Sequence, residues 1–137
     1  MFSTDDPGPM AVILDHYQHP RNHGRLEAPD LVCEDVNPGC GDRLRFEVRF
    51  GEENRIEAVR FVGDGCTISV AGASVLTTLV AGRPLEQAVR LSESTLLEAL
   101  GFAASPRRLD CALLGVRTLR AGLIRYYHEH RLRDHEG

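Results

Sequence analysis

The stretch "RLRFEVRF", residues 43–50, places Leu44, Phe46, Val48 and Phe50 on one side and Arg43, Arg45, Glu47 and Arg49 on the other. Strict alternation at a period of two predicts a half-buried strand, antiparallel as is usual for a sheet with one wet face. Gly51 to Asn54 reads as a hairpin turn, and "RIEAVRFV" (55–62) as the returning strand. Upstream, Leu31 to Val36 is a further strand. Arg43, Arg45 and Arg49 then line a solvated face, with docking of an acidic partner as the alternative.

Beyond residue 66 the period changes. Ile68, Ala71, Gly72, Val75, Leu76 and Leu79 recur at helical spacing up to Gly82. Pro84 opens a short helix, and Ser92 or Ser94 caps another that Gly101 closes. A long last helix carries Leu113, Val116, Leu119, Leu123 and Tyr127, starting either at Ser105-Pro106 or after Asp110. At the other end, "MAVILDHYQ" is a short helix stopped by Pro20. A three-strand antiparallel meander packed against several helices, the last of them long, is an α+β fold.

The 137 residues fit one domain, with 1–9 as a loose extension and about 129–137 as a tail. A net charge of -4 argues against a nucleic-acid partner. All 16 basic residues are arginine, which excludes chemistry that needs a Schiff-base or phosphate-loop lysine. No apolar run approaches the ~20 residues of a membrane span, and the acidic start is unlike a secretory signal. The expected setting is the cytoplasm, where thiols stay reduced. Cys33, Cys40, Cys66 and Cys111 are therefore expected as ligands, nucleophiles or buried free thiols.

"NPGCGD" (37–42) holds Cys40 and Asp42 between and after glycines. Both share the even parity of Leu44 and Phe46, so they project toward the face the helices cover. A buried anion without a partner is costly, so a cation belongs there. Cys66 sits where "GDGCTIS" turns from strand into helix; that stretch lacks the GK[ST] of a phosphate loop. Cys111 stands at the start of the last helix if Asp110 is its cap. There the helix end and the adjacent Arg107 and Arg108 favour thiolate character. Three cysteines and an aspartate at element boundaries suit zinc or an iron–sulfur cluster. Yet separations of 26 and 45 residues, with no CxxC pair, carry little metal signal alone. Buried structural thiols remain an alternative, and the preferred one for Cys33. His16, His19 and His23, and likewise His128, His130 and His135, form rival clusters that read as solvated surface.

"ILDHYQHPRN", "NPGCGD", "FVGDGCTISVAGAS" and "DCALLGVRTL", in this order, resemble the U-type iron–sulfur assembly family of IscU, SufU and the NifU N-terminal domain. The resemblance spans nearly the whole chain. It implies Cys40, Asp42, Cys66 and Cys111 as ligands of a [2Fe-2S]-type cluster or of zinc, while Cys33 matches no motif position. It also implies sulfur delivery by a cysteine desulfurase and cluster transfer to apo-proteins, with Cys111 as the expected sulfur acceptor. "GCTIS" and "HYQHPRN" look like the SufU branch, but the helix-length insertion of that branch before the third cysteine is missing. The histidine and Leu-Pro-Pro-Val-Lys stretch of the IscU branch are replaced by "SPRRLDC". The expected function is a cluster-assembly scaffold. The alternatives are a zinc-dependent sulfurtransferase and a structural zinc module. A carboxylate among thiolates favours transfer, because one hard ligand exchanges more readily than soft sulfur.

Overall fold

β1 (Leu31–Val36), β2 (Arg43–Phe50) and β3 (Ile56–Asp64) pair in that order as an antiparallel sheet in the computed structural model, which describes residues 10–39, 41–101 and 106–136. The register sets Cys33 and Phe61 on either side of Phe46, and Leu31 and Val59 on either side of Val48. These rows are buried and form the floor of the core. Phe50 escapes full burial because the β2–β3 register shifts between Arg49 and Phe50.

The outer face of β2 is less wet than its charges predict. Glu47 is buried, accepting the Leu26 N–H at 2.8 Å and pairing with Arg45 at 3.0 Å. Arg49 pairs with Glu57 at 3.1 Å. The connection leaving α1 (Ala11–Gln18) also seals the free edge of β3, through Gly24 N–H to Phe61 O and Phe61 N–H to Asn22 O.

On the inner face lie α2 (Thr67–Val80) and α5 (Pro106–Glu136), with α3 (Leu85–Ala88) and α4 (Glu93–Leu100) beside them. These strands and five helices, among the described residues, are the expected α+β fold. α2 is buried on more than the single stripe its spacing predicts, because α1 and the connection leaving it cover the side bearing Ser74 and Thr77. Ser92 caps α4 by accepting the Thr95 N–H, and Gly101 (φ +75°) closes it. α5 buries Leu113, Val116, Leu119 and Leu123, with Tyr127 half-buried, and runs on through 129 to Glu136. No helix among the described residues is long and apolar enough to cross a membrane. Residues 1–9 and Ser105 lie outside the described residues.

Candidate metal centre

The β1–β2 connection is a tight reversal. Asn37 Oδ1 accepts the Gly39 N–H at 3.0 Å, Gly41 donates to Asn37 O, and Asn37 donates to Asp42 O, both at 2.7 Å. Gly41 adopts φ +76°, a conformation glycine takes without strain. The chain therefore re-enters β2 with Asp42 pointing inward, buried. Cys40 lies outside the described residues.

β3 ends at Asp64, and Cys66 forms the N-cap of α2 without a side-chain cap of its own. Asp42 supplies the partner instead. Its Oδ1 accepts the Cys66 N–H at 3.1 Å, and its Oδ2 accepts the Ser69 hydroxyl at 2.5 Å. The Cys66 sulfur lies 3.4 Å from Ser69 Oγ. Two donors on another element thus hold the Asp42 carboxylate.

The third segment is α5. It begins at Pro106, the earlier of the two starts read from sequence, so Cys111 stands in its second turn rather than its first. Cys111 therefore lacks the helix-end position expected of it, and Cys66 is the thiol at a helix N-terminus. Asp110 does not cap α5. It is exposed and pairs with Arg117 at 3.3 Å.

Donor atoms of Asp42, Cys66 and Cys111 all lie within 4.8 Å of one another. Two sulfurs and a carboxylate fit zinc or iron, whose tetrahedral sites accept such mixed donors. Cys66 is exposed and Cys111 is buried. Both line a cleft of about 590 Å³, with Met10, Leu14 and Ile68 as apolar wall and Arg108 at its side. An open cleft suits a cargo that enters and leaves better than a closed structural site does.

Cys33 is elsewhere. It sits in the core against Gly122, where a Cβ would overlap its sulfur, and burial pushes its thiol up to about 11. The histidines form no joint site with one another among the described residues. His16 is nonetheless oriented: its Nδ1 lies 2.7 Å from Ser74 Oγ, and burial, helped by Arg21, holds its pKa below the usual histidine value. His130 stacks on Tyr126. Sequence reasoning missed Ser69. The available signal was its place three residues beyond the cap, on the same face as Cys66.

The profile of the family described as NifU-like N terminal domain matches residues 10–133. The chain is 38% identical over 115 residues to "Iron-sulfur cluster assembly scaffold protein IscU" of Aquifex aeolicus, covering 83% of this chain and 73% of that protein. It is 34% identical over 131 residues to "Zinc-dependent sulfurtransferase SufU" of Bacillus subtilis, covering 83% and 88% respectively. A solved structure described only as a hypothetical protein superposes with TM-score 0.71 at 32% identity, over 84% of this chain and 96% of that one.

Proposed function

The chain belongs to the NifU-like N-terminal domain family, and from that premise we propose that it is an iron–sulfur cluster assembly scaffold that accepts sulfur from a cysteine desulfurase. One observation carries the reading: Asp42, Cys66 and Cys111 arrive from three separate segments with donor atoms within 4.8 Å, beside an open cleft. Cys40, two residues before Asp42 in the sequence, is the proposed fourth ligand. A [2Fe-2S]-type cluster is the proposed cargo, and apo-proteins receive it.

Cys111 is the proposed sulfur acceptor. Its thiolate attacks the outer sulfur of the desulfurase persulfide, that S–S bond breaks, and the desulfurase cysteine leaves as thiolate. Arg108, lining the same cleft, supplies positive charge near the sulfur anion. A cytoplasmic setting belongs to the proposal, supported by Cys33 and Cys66 being free thiols.

Likeness to the Bacillus subtilis sulfurtransferase supports a second reading, in which zinc occupies the site until a desulfurase thiol displaces one ligand. Anaerobic purification with iron, zinc and sulfide analysis and a visible spectrum separates the two. Iron and sulfide in equal amounts, with cluster absorption, is the expected result. Zinc that persists through cluster reconstitution favours the sulfurtransferase. Mass mapping after incubation with desulfurase and cysteine should find the added sulfur on Cys111; label on Cys66 instead would move the acceptor there.

A further inference from the structure

We propose that Ser69 is a positioning residue that holds the Asp42 carboxylate when it is off the metal, and so sets how fast the cargo leaves. The inference rests on the metal site described above and adds a residue to it. Ser69 is 1% exposed, in the first turn of α2, and its hydroxyl donates to Asp42 Oδ2 at 2.5 Å. The other oxygen, Oδ1, takes the Cys66 N–H. In a capping box a side chain of the helix itself reaches back to the N-cap N–H. Here a carboxylate from the β1–β2 turn takes that place, so the helix start and the candidate ligand share one hydrogen-bond system. Gly65 makes room for it: a Cβ there would lie 3.2 Å from Ser69 Cβ and 3.3 Å from Asp42 Cγ.

The three donor atoms lie within 4.8 Å of one another. Around a tetrahedral metal, with bonds of about 2.0–2.3 Å, neighbouring ligand atoms stand roughly 3.5–3.8 Å apart. Closing the set to those spacings brings the carboxylate onto the metal, and in this proposal it exchanges the Ser69 hydroxyl for the metal as it does so. Release runs the other way. A carboxylate leaving the metal in a buried place needs donors at once, because an unsatisfied buried anion is costly. Ser69 and the Cys66 N–H are those donors, already in position. Without the hydroxyl the detached state is poorer and exchange is slower. Serine has one proton to give, and it is spent on Asp42 rather than on the sulfur 3.4 Å away.

The test loads the full chain with one equivalent of zinc and follows transfer to a chromophoric chelator by stopped flow. Ser69→Ala keeps helix propensity, and circular dichroism checks the fold. Its release should slow by about tenfold, the worth of one hydrogen bond to a charged group. Ser69→Thr, which keeps the hydroxyl, should restore the wild-type rate. In an Asp42→Ala background, Ser69→Ala should change nothing further. Release from Ser69→Ala as fast as wild type, or faster, overturns the proposal. So does equal slowing with and without Asp42, since Ser69 would then act through helix packing. A wild-type chain that binds no zinc overturns the site itself, a failure distinct from the other two.

Discussion

Gly72 of α2 faces Ala112 of α5 so closely that a Cβ on the glycine would sit 2.9 Å from the Ala112 carbonyl oxygen. The two backbones touch at this crossing. Cys66 heads one helix and Cys111 immediately precedes Ala112 on the other, so this contact sets how near the two sulfurs come.

Gly72→Val should therefore act on metal binding from outside the ligand set. Forcing a branched side chain between two backbones costs about 1–3 kcal/mol and pushes the helices apart. Denaturant unfolding should show that loss, and zinc titration should show weaker binding than in a variant of equal stability altered far from the crossing. Full zinc affinity alongside the expected destabilisation would mean that the crossing does not govern the site.

Cys33 and Cys66 should separate cleanly by chemistry. Cys33 is buried and its thiol is raised to about 11, whereas Cys66 is exposed. Brief alkylation at pH 8 should label Cys66 and spare Cys33 until the protein is unfolded. A raised thiol pKa means that the folded state keeps the proton longer than the unfolded state. The associated stability is full below about pH 9 and is lost as pH rises toward 11, on the order of 2–3 kcal/mol. Cys33→Ala should lose that alkaline decline yet bind zinc as wild type does. Early labelling of Cys33 would contradict its burial.

His16 should give the opposite pH dependence. Arg21 N–H donates to Ser74 Oγ at 2.8 Å, and the same hydroxyl lies 2.7 Å from His16 Nδ1, in a half-buried place. The folded pKa is depressed, by burial first and then Arg21, against the pull of Asp15. The unfolded chain thus takes up the proton first, and this stability is present above pH 6.5 and lost as pH falls through the folded value. His16→Gln should flatten the fall in stability between pH 7 and pH 5.5. An unchanged slope would place the acid sensitivity elsewhere.

Much of this was legible because the signals are local. The bounds of β2 follow from alternation, and the caps of α4 from Ser92 and Gly101, each decided by neighbours in the chain. What stayed hidden depends on partners far away in sequence. Glu47 reads as wet until Leu26 is laid over it, and α2 reads as one-sided until α1 covers Ser74. At the site, parity pointed Asp42 inward and the strand-to-helix change marked Cys66. The bonds from Asp42 to Cys66 and Ser69 cross 24 and 27 residues, and no period or cap rule predicts them. The start of α5 was ambiguous for a different reason: Pro106 and Asp110 offer two start signals within one turn and a half, and only packing chooses.

Asp42→Ala should separate stability from release. In the metal-free protein it leaves the Cys66 N–H and the Ser69 hydroxyl without their carboxylate, costing about 1–3 kcal/mol. In the loaded protein it removes the one hard ligand, and with it the exit by carboxylate exchange, while leaving the thiolates. The reconstituted cluster should last longer and reach an apo-ferredoxin more slowly. Asp110 is the carboxylate near enough in sequence to Cys111 to stand in for the lost ligand. It is engaged by Arg117, which also holds Glu93 at 3.0 Å, so its side chain is drawn toward α4. The Asp42→Ala, Asp110→Ala double variant should therefore transfer as slowly as the single variant. A double variant slower still would show Asp110 substituting as ligand. Transfer at the wild-type rate in both would defeat the idea that a labile carboxylate governs release.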